Sequence, residues 1–231
     1  MINSTKIIPL PPVDWGDGIE KDVVLLELTN PEGITGLGSA CTGVNQLQAA
    51  LRQYQQNPAM LHDADAEMII PMSAIDIALW DIRGKEENQP VSELLGGRKR
   101  DRVLAYATMN LLMTSALTGD SFEANLRDLM DQGFKAIKLS IDNFGHRDSS
   151  RSDSEWDLCE AKLLESARAI VGDNIELMLD VYGSDPNWTP DFHWAVKTAS
   201  VLEELNYLWF EEPLTPEAVD DYARLTQGTN I

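Results

Sequence analysis

Hydrophobic and polar positions follow two different periods along this chain. Val23-Val24-Leu25-Leu26-Glu27-Leu28 is a β-branched and aliphatic run, Pro31-Glu32-Gly33 supplies a turn, and Ile34-Thr35-Gly36-Leu37-Gly38 completes a predicted β-hairpin. Gln46 to Gln56 has helical composition. Met72 to Lys85 carries Ile75, Ile77, Ala78, Leu79, Trp80 and Ile82 almost all round, which predicts a helix buried on most of its sides. Residues 1–100 therefore read as one α+β domain.

The pattern changes after Leu94-Leu95-Gly96-Gly97. Strand-like Val103 to Thr108 precedes a predicted helix from about Ser121 to Gln132, and Phe134 to Ile141 precedes one from about Ser154 to Val171. Ile175 to Tyr182 precedes a helix from about Pro190 to Leu205, and Tyr207 to Glu211 one from about Pro216 to Gln227. Four strand-then-helix units in a row predict parallel strands joined by helical crossovers, in a doubly wound sheet or a (β/α) barrel. No glycine-rich phosphate fingerprint follows the first strand, where Met109-Asn110-Leu111-Leu112 stands instead, so the barrel is favoured. Residues 101–231 then read as its first half, strands one to four, in a chain expected to be truncated. The polar stretch Asp142 to Ser154 reads as an enlarged loop after the second strand.

Charge narrows the partners. With 18 Lys and Arg against 38 Asp and Glu, the net charge is −20, which repels phosphate backbones and anionic lipid, and no basic run exceeds Arg98-Lys99-Arg100. Nucleic acid and membrane surfaces are excluded as expected partners. An anionic small molecule needs positive charge supplied locally, by a metal or a few placed Lys and Arg. No apolar leader follows Met1, and Cys41 and Cys159 lie far apart, so the expected compartment is a reducing cytoplasm.

Catalytic groups of a barrel project from the C-terminal ends of its strands. Three successive predicted strands end in ionisable residues: Lys138 in Phe134-Lys135-Ala136-Ile137-Lys138-Leu139-Ser140, Asp180 in Leu177-Met178-Leu179-Asp180-Val181-Tyr182, and Glu211 in Trp209-Phe210-Glu211-Glu212-Pro213. On neighbouring strands Asp180 and Glu211 converge as hard oxygen ligands suited to Mg²⁺, with Lys138 beside them. Two unpaired carboxylates there repel each other, which raises one pKa unless a cation is present. By strand alternation Ser140 shares a face with Lys138, and Tyr182 with Asp180. Singly, each has an ordinary reading as a helix cap or solvated loop residue, and Glu212 is the alternative ligand to Glu211. The joint occurrence on three strands is what points to a site. His62, His146 and His193 have no metal spacing and read as surface or loop residues.

These residues carry a family resemblance. Ser73-Ala74-Ile75-Asp76-Ile77-Ala78-Leu79-Trp80-Asp81-Ile82-Arg83-Gly84-Lys85, followed by Pro90-Val91-Ser92-Glu93-Leu94-Leu95-Gly96-Gly97, resembles the junction of capping domain and barrel in the mandelate racemase and muconate lactonizing branch of the enolase superfamily. The segments GFKAIKL, LMLDVY and WFEEPL resemble its second, third and fourth barrel strands. The resemblance implies an α/β chain, an α+β capping domain followed by half of an enolase-type barrel. It also implies Mg²⁺, a small-molecule carboxylate substrate, a homo-oligomer at full length, and removal of a proton α to the carboxylate. Asp180 and Glu211 match the first two metal ligands, and Lys138 the first lysine of the family's Lys-x-Lys element.

Ser140 replaces the second lysine. Serine has no basic nitrogen and does not act unaided as the base, which disfavours a racemase needing bases on both faces of its substrate. The expected activity is that of an acid-sugar dehydratase resembling rhamnonate dehydratase, with a racemase, epimerase, cycloisomerase or non-catalytic module as alternatives. Tyr182, where many relatives have Asn, is compatible with that group. The family's third metal ligand and His-Asp dyad are expected beyond Ile231. Trp15, in Asp14-Trp15-Gly16-Asp17-Gly18-Ile19-Glu20, falls where the family places a loop over the substrate; it either closes the pocket or caps an exposed hairpin.

Overall fold

The structure is a computed structural model that describes residues 2–14, 20–65, 67–111, 120–141, 152–184 and 190–231. Its contacts divide the chain into two compact units, Met1–Asp101 and Arg102–Ile231. The fold class is α/β, as expected.

In the first unit β1 (Ser4–Pro9), β4 (Val24–Thr29) and β5 (Thr35–Ala40) form an antiparallel sheet in the order β1-β4-β5, and β2 (Val13–Asp14) pairs with β3 (Glu20–Lys21) separately. The predicted hairpin is β4 and β5, in register from Val24↔Ala40 to Thr29↔Thr35. Alternation along β4 buries Val24, Leu26 and Leu28 in a core shared with Leu47 of α1 (Val44–Gln56) and Ile75 of α2 (Ile69–Glu86). The helix α2 lies close on β5 because Gly36 and Gly38 face it: a Cβ at either would run into the carbonyl oxygens of Ala78 and Ala74. The short α3 (Val91–Leu94) follows. The expectation of a buried helix over Met72 to Lys85 is corrected in part, because Ile77 is 46% exposed, and the helix starts earlier, at Ile69 and Ile70, which are 58% and 50% exposed. Its apolar residues exceed what one sheet face covers.

The second unit carries β6 (Ala107–Leu111), α4 (Asp120–Asp131), β7 (Ala136–Ile141), α5 (Asp153–Val171), β8 (Glu176–Asp180), α6 (Phe192–Glu204), β9 (Phe210–Glu211) and α7 (Val219–Gly228). The strands are parallel and ordered β6-β7-β8-β9, the sequence of neighbours expected of four consecutive barrel strands. One correction concerns the first of them. Val103 and Leu104, read as strand, are 75% and 62% exposed, and the strand begins at Ala107, where Ala107, Met109 and Leu111 alternate inwards against Ile137, Leu139 and Ile141.

One face of this sheet packs on the helices: Met109, Leu111, Ile137, Leu139, Leu177 and Leu179 join Leu126, Leu164, Ala167, Ala195 and Leu202 in a single core. A capping box between Ser152 and Glu155 starts α5, and the Asp191 carboxylate accepts the Trp194 N–H to start α6. At the strands' N-terminal end Arg168 donates to the carbonyls of Leu205, Gly172, Ile175 and Asn206, each at 2.8 Å, and lies over the Tyr207 ring. One guanidinium thereby ties α5, α6 and the approach to β8 together.

Candidate metal centre

The opposite face of the parallel sheet is polar where the strands end. The pairings Asn110↔Ser140, Ser140↔Asp180 and Asp180↔Glu211 set four polar residues at one level across four strands. Lys138 stands two residues earlier on β7 and so shares their face. Its ammonium lies 3.1 Å from Asp180 Oδ2 and 3.1 and 3.0 Å from Glu211 Oε1 and Oε2. Lys138, Ser140 and Asp180 are buried, and the Glu211 side chain keeps 37% of its surface.

The two carboxylates are therefore not unpaired, as the sequence led us to expect; Lys138 bridges them. Burial alone would push the Lys138 ammonium towards neutrality, but its bonds to Glu211 and Asp180 outweigh this and hold its pKa well above the usual lysine value. Asp180 is raised, first by burial and further by the Glu211 charge, against the opposing pull of Lys138 and of the Tyr182 N–H. Two carboxylates and one ammonium leave a residual negative charge in a sheltered place. That charge is what a bound cation would neutralise.

Ser140 Oγ is fully buried and has no hydrogen-bond partner among the described residues. Such an orphaned hydroxyl beside two converging carboxylates fits a ligand of hard-oxygen chemistry. The donor set fits Mg²⁺ in kind: Asp180 and Glu211 aim at one cation-sized position, now held by an ammonium. It is partial in number, since among the described residues no group of three or more His, Cys, Asp or Glu is placed to hold a metal.

Tyr182 reaches the site differently from its expected role. β8 ends at Asp180, the backbone at Tyr182 turns left-handed (φ 49°), and its N–H donates to Asp180 Oδ1 at 3.2 Å, so strand alternation no longer aims its ring. Glu212 also has φ 49° and binds Ser184 through Oε2, which accepts the Ser184 hydroxyl at 2.5 Å; it does not join Lys138. Trp15, His146 and most of the Asp142 to Ser154 segment lie outside the described residues. His62 and His193 are exposed, His193 in the first turn of α6.

Two aromatic neighbours escaped the sequence reading. Trp209 Nε1–H donates to Glu211 Oε2 at 3.1 Å, and the Tyr106 ring meets the Trp209 ring edge-on at 5.5 Å while lying 5.6 Å beneath the Lys138 ammonium. Alternation back from Glu211 places Trp209 on the same face, and that signal was available. Asn110 was missed because β6 was placed four residues early.

Comparison with known proteins gives this geometry a family. Residues 121–231 match the family described as enolase C-terminal domain-like, and residues 44–96 the mandelate racemase/muconate lactonizing enzyme N-terminal domain. A D-galactonate dehydratase family member from Enterococcus gallinarum is 32% identical over 195 residues, 79% of this chain and 44% of that protein. A D-galactarolactone cycloisomerase from Agrobacterium fabrum is 29% identical over 227 residues, 90% of this chain and 55% of that one. The crystal structure of the 3,6-anhydro-D-galactonate cycloisomerase from Zobellia galactanivorans superposes with a TM-score of 0.72 at 27% identity, over 98% of this chain and 63% of that one. The chain spans about half the length of these curated relatives.

Proposed function

Because this chain belongs to the mandelate racemase/muconate lactonizing enzyme branch of the enolase superfamily, we propose that the whole protein is a Mg²⁺-dependent hydro-lyase that dehydrates an acid sugar, an aldonate or aldarate. The observation that carries this reading is the convergence of Asp180 and Glu211 on the Lys138 ammonium at the ends of successive parallel strands. The dehydratase name of the Enterococcus relative supports the reaction class.

Asp180 and Glu211 hold the metal, and Ser140 and Lys138 face the substrate. The bound cation supplies positive charge to the substrate carboxylate and to the oxygen that becomes anionic as the α-proton leaves. Lys138, whose ammonium gives up the two carboxylates to the cation, is left to donate to the same substrate carboxylate, which a protein of net charge −20 would otherwise repel. Ser140 presents a hydroxyl with no partner among the described residues to a substrate hydroxyl or carboxylate oxygen. It takes no proton, so abstraction falls to the His-Asp dyad that the family places on later strands. Tyr182 fixes Asp180 through its backbone N–H, and Trp15 is a candidate for closing the pocket. A homo-oligomer in the cytoplasm completes the proposal.

Incubating the whole protein with Mg²⁺ and a panel of aldonates and aldarates, and assaying for 2-keto-3-deoxy products, tests the reading. A keto product formed with loss of one water supports it. The name of the Agrobacterium relative favours one second reading, a cycloisomerase, whose product would be an isomer of its substrate with no water lost. Solvent-deuterium incorporation with no elimination would instead mark a racemase or epimerase.

A further inference from the structure

Glu211 is the more exposed of the two carboxylates, 37% against 6% for the Asp180 side chain, and as a glutamate it has one more rotatable bond to hold still. Its Oε2 takes two donors, the Trp209 indole N–H at 3.1 Å and the Lys138 ammonium at 3.0 Å, while Oε1 takes Lys138 alone at 3.1 Å. The two donors are not equivalent when a cation arrives. An ammonium competes with a metal ion for the same lone pairs and the same negative charge. An indole N–H is neutral and approaches from one side of one oxygen, so it can stay bonded while the other lone pairs turn to the metal. The indole is held in turn: the Tyr106 ring meets it edge-on at 81°, and the same ring lies beneath Lys138, so that carboxylate, indole, phenol ring and ammonium close a circuit of four side chains.

We infer that Trp209 is a positioning residue for Glu211: its N–H fixes the carboxylate in the orientation that receives a divalent cation, and Tyr106 fixes the indole that does so. The consequence for metal affinity rests on the Mg²⁺ reading above; the orientation of Glu211 does not. Outer partners of this kind tune metal sites by about 10–100-fold. Trp209→Phe keeps an aromatic ring and removes only the donor, and Tyr106→Leu removes the ring that braces the indole.

The test has two measurements on the whole protein. Calorimetric titration with Mg²⁺ alone should show Trp209→Phe weakening binding about tenfold, and Tyr106→Leu by less, with unfolding midpoints confirming that both variants fold. A crystal structure of metal-free Trp209→Phe should show the Glu211 carboxylate displaced from its native orientation or spread over several. If the native chain binds Mg²⁺ and Trp209→Phe binds it equally well, the inference is overturned and the metal reading stands. If the unsubstituted whole protein binds no Mg²⁺, the metal reading fails, and the crystal structure alone decides: a displaced Glu211 supports the inference, and an unmoved one overturns it.

Discussion

The two larger sheets of this chain each bury one face under helices, and they use the other face in different ways. On the antiparallel sheet of the first unit, the face away from α2 carries Leu37, 49% exposed, and the cross-strand pair Lys6 and Glu27, 3.4 Å apart with side chains 66% and 31% exposed. On the parallel sheet of the second unit, the corresponding face carries Lys138 and Asp180, 3.1 Å apart with side chains 10% and 6% exposed. The first pair sits in water, where an ion pair contributes about 0–1 kcal/mol. The second has left water, so each charge depends on the other and on Glu211. A fold gains little by burying charge on a sheet that apolar residues would fill. The difference is an argument for the proposal that the second face is shaped for a ligand.

The largest expected effect comes from removing a carboxylate of the buried set. Asp180→Asn and Glu211→Gln should each lower Mg²⁺ affinity by about a hundredfold or more, beyond the 10–100-fold typical of losing an outer partner, and should abolish turnover in the whole protein. Mg²⁺ titration by calorimetry checks the first part. Unchanged affinity in both variants would remove the metal centre from this face altogether.

Next comes the contrast between the two lysines. Lys138→Met leaves Asp180 buried beside Glu211 with no counter-charge, and should cost about 3 kcal/mol of stability at neutral pH. Lys6→Met should change stability by no more than about 0.5 kcal/mol. Urea unfolding of the metal-free variants measures both. Equal effects would break the comparison, and Mg²⁺ should restore much of the Lys138→Met loss by binding only the folded state.

How far this face could be read in advance depends on which signal marked each residue. Lys138, Ser140, Asp180 and Glu211 were legible because a strand's period of two is rigid, and a charge ending each of three apolar strands has few other readings. β6 was misplaced because Val103 and Leu104 look like strand residues, whereas the better guide was the alternation of Ala107, Met109 and Leu111, which continues past them. The bridging of both carboxylates by Lys138 was not legible, since side-chain reach between neighbouring strands depends on their spacing and twist. That alternation stops after Asp180 was not legible, because nothing local announces the left-handed turn at Tyr182. The excess apolar surface on α2 shows the limit of composition, which tells that a residue is hydrophobic but not how many faces will be covered.

A smaller effect, of unusual sign, belongs to Ser140. Its hydroxyl is buried with no partner among the described residues, so Ser140→Ala removes a desolvated polar group and should leave the metal-free chain as stable as before or more stable by up to about 1 kcal/mol. The same change should raise KM in the whole enzyme. A polar residue whose removal stabilises the fold and harms turnover is one kept for its ligand. A clear loss of stability would show that Ser140 is structural, and the contrast with the first unit's bare face would weaken.

The smallest effect tests the comparison through pH. Asp81 on α2 accepts the Leu37 N–H and the Lys85 ammonium, both at 2.8 Å, in a partly solvated place. Burial works against its ionisation, but the bonds from Lys85 and Leu37 outweigh this and lower its pKa below the usual aspartate value. Asp180 is shifted the other way, upwards. A carboxylate depressed in the folded state contributes stability that is present above its unfolded pKa, about 3.9, and lost as pH falls through its folded value. A raised one contributes stability that is full below the unfolded pKa and lost as pH rises through its folded value. Comparing each parent and variant by denaturant unfolding from neutral pH to pH 3 should therefore give opposite slopes. The deficit of Asp81→Asn should shrink on acidification, because the native chain loses the contribution that the variant already lacks. Asp180→Asn, which deletes a charge the folded state holds at a cost, should fare best against the native chain near neutrality and lose ground as Asp180 protonates. Slopes of the same sign in the two variants would mean that the two carboxylates sit in equivalent surroundings, against the difference between the two faces on which the metal centre rests.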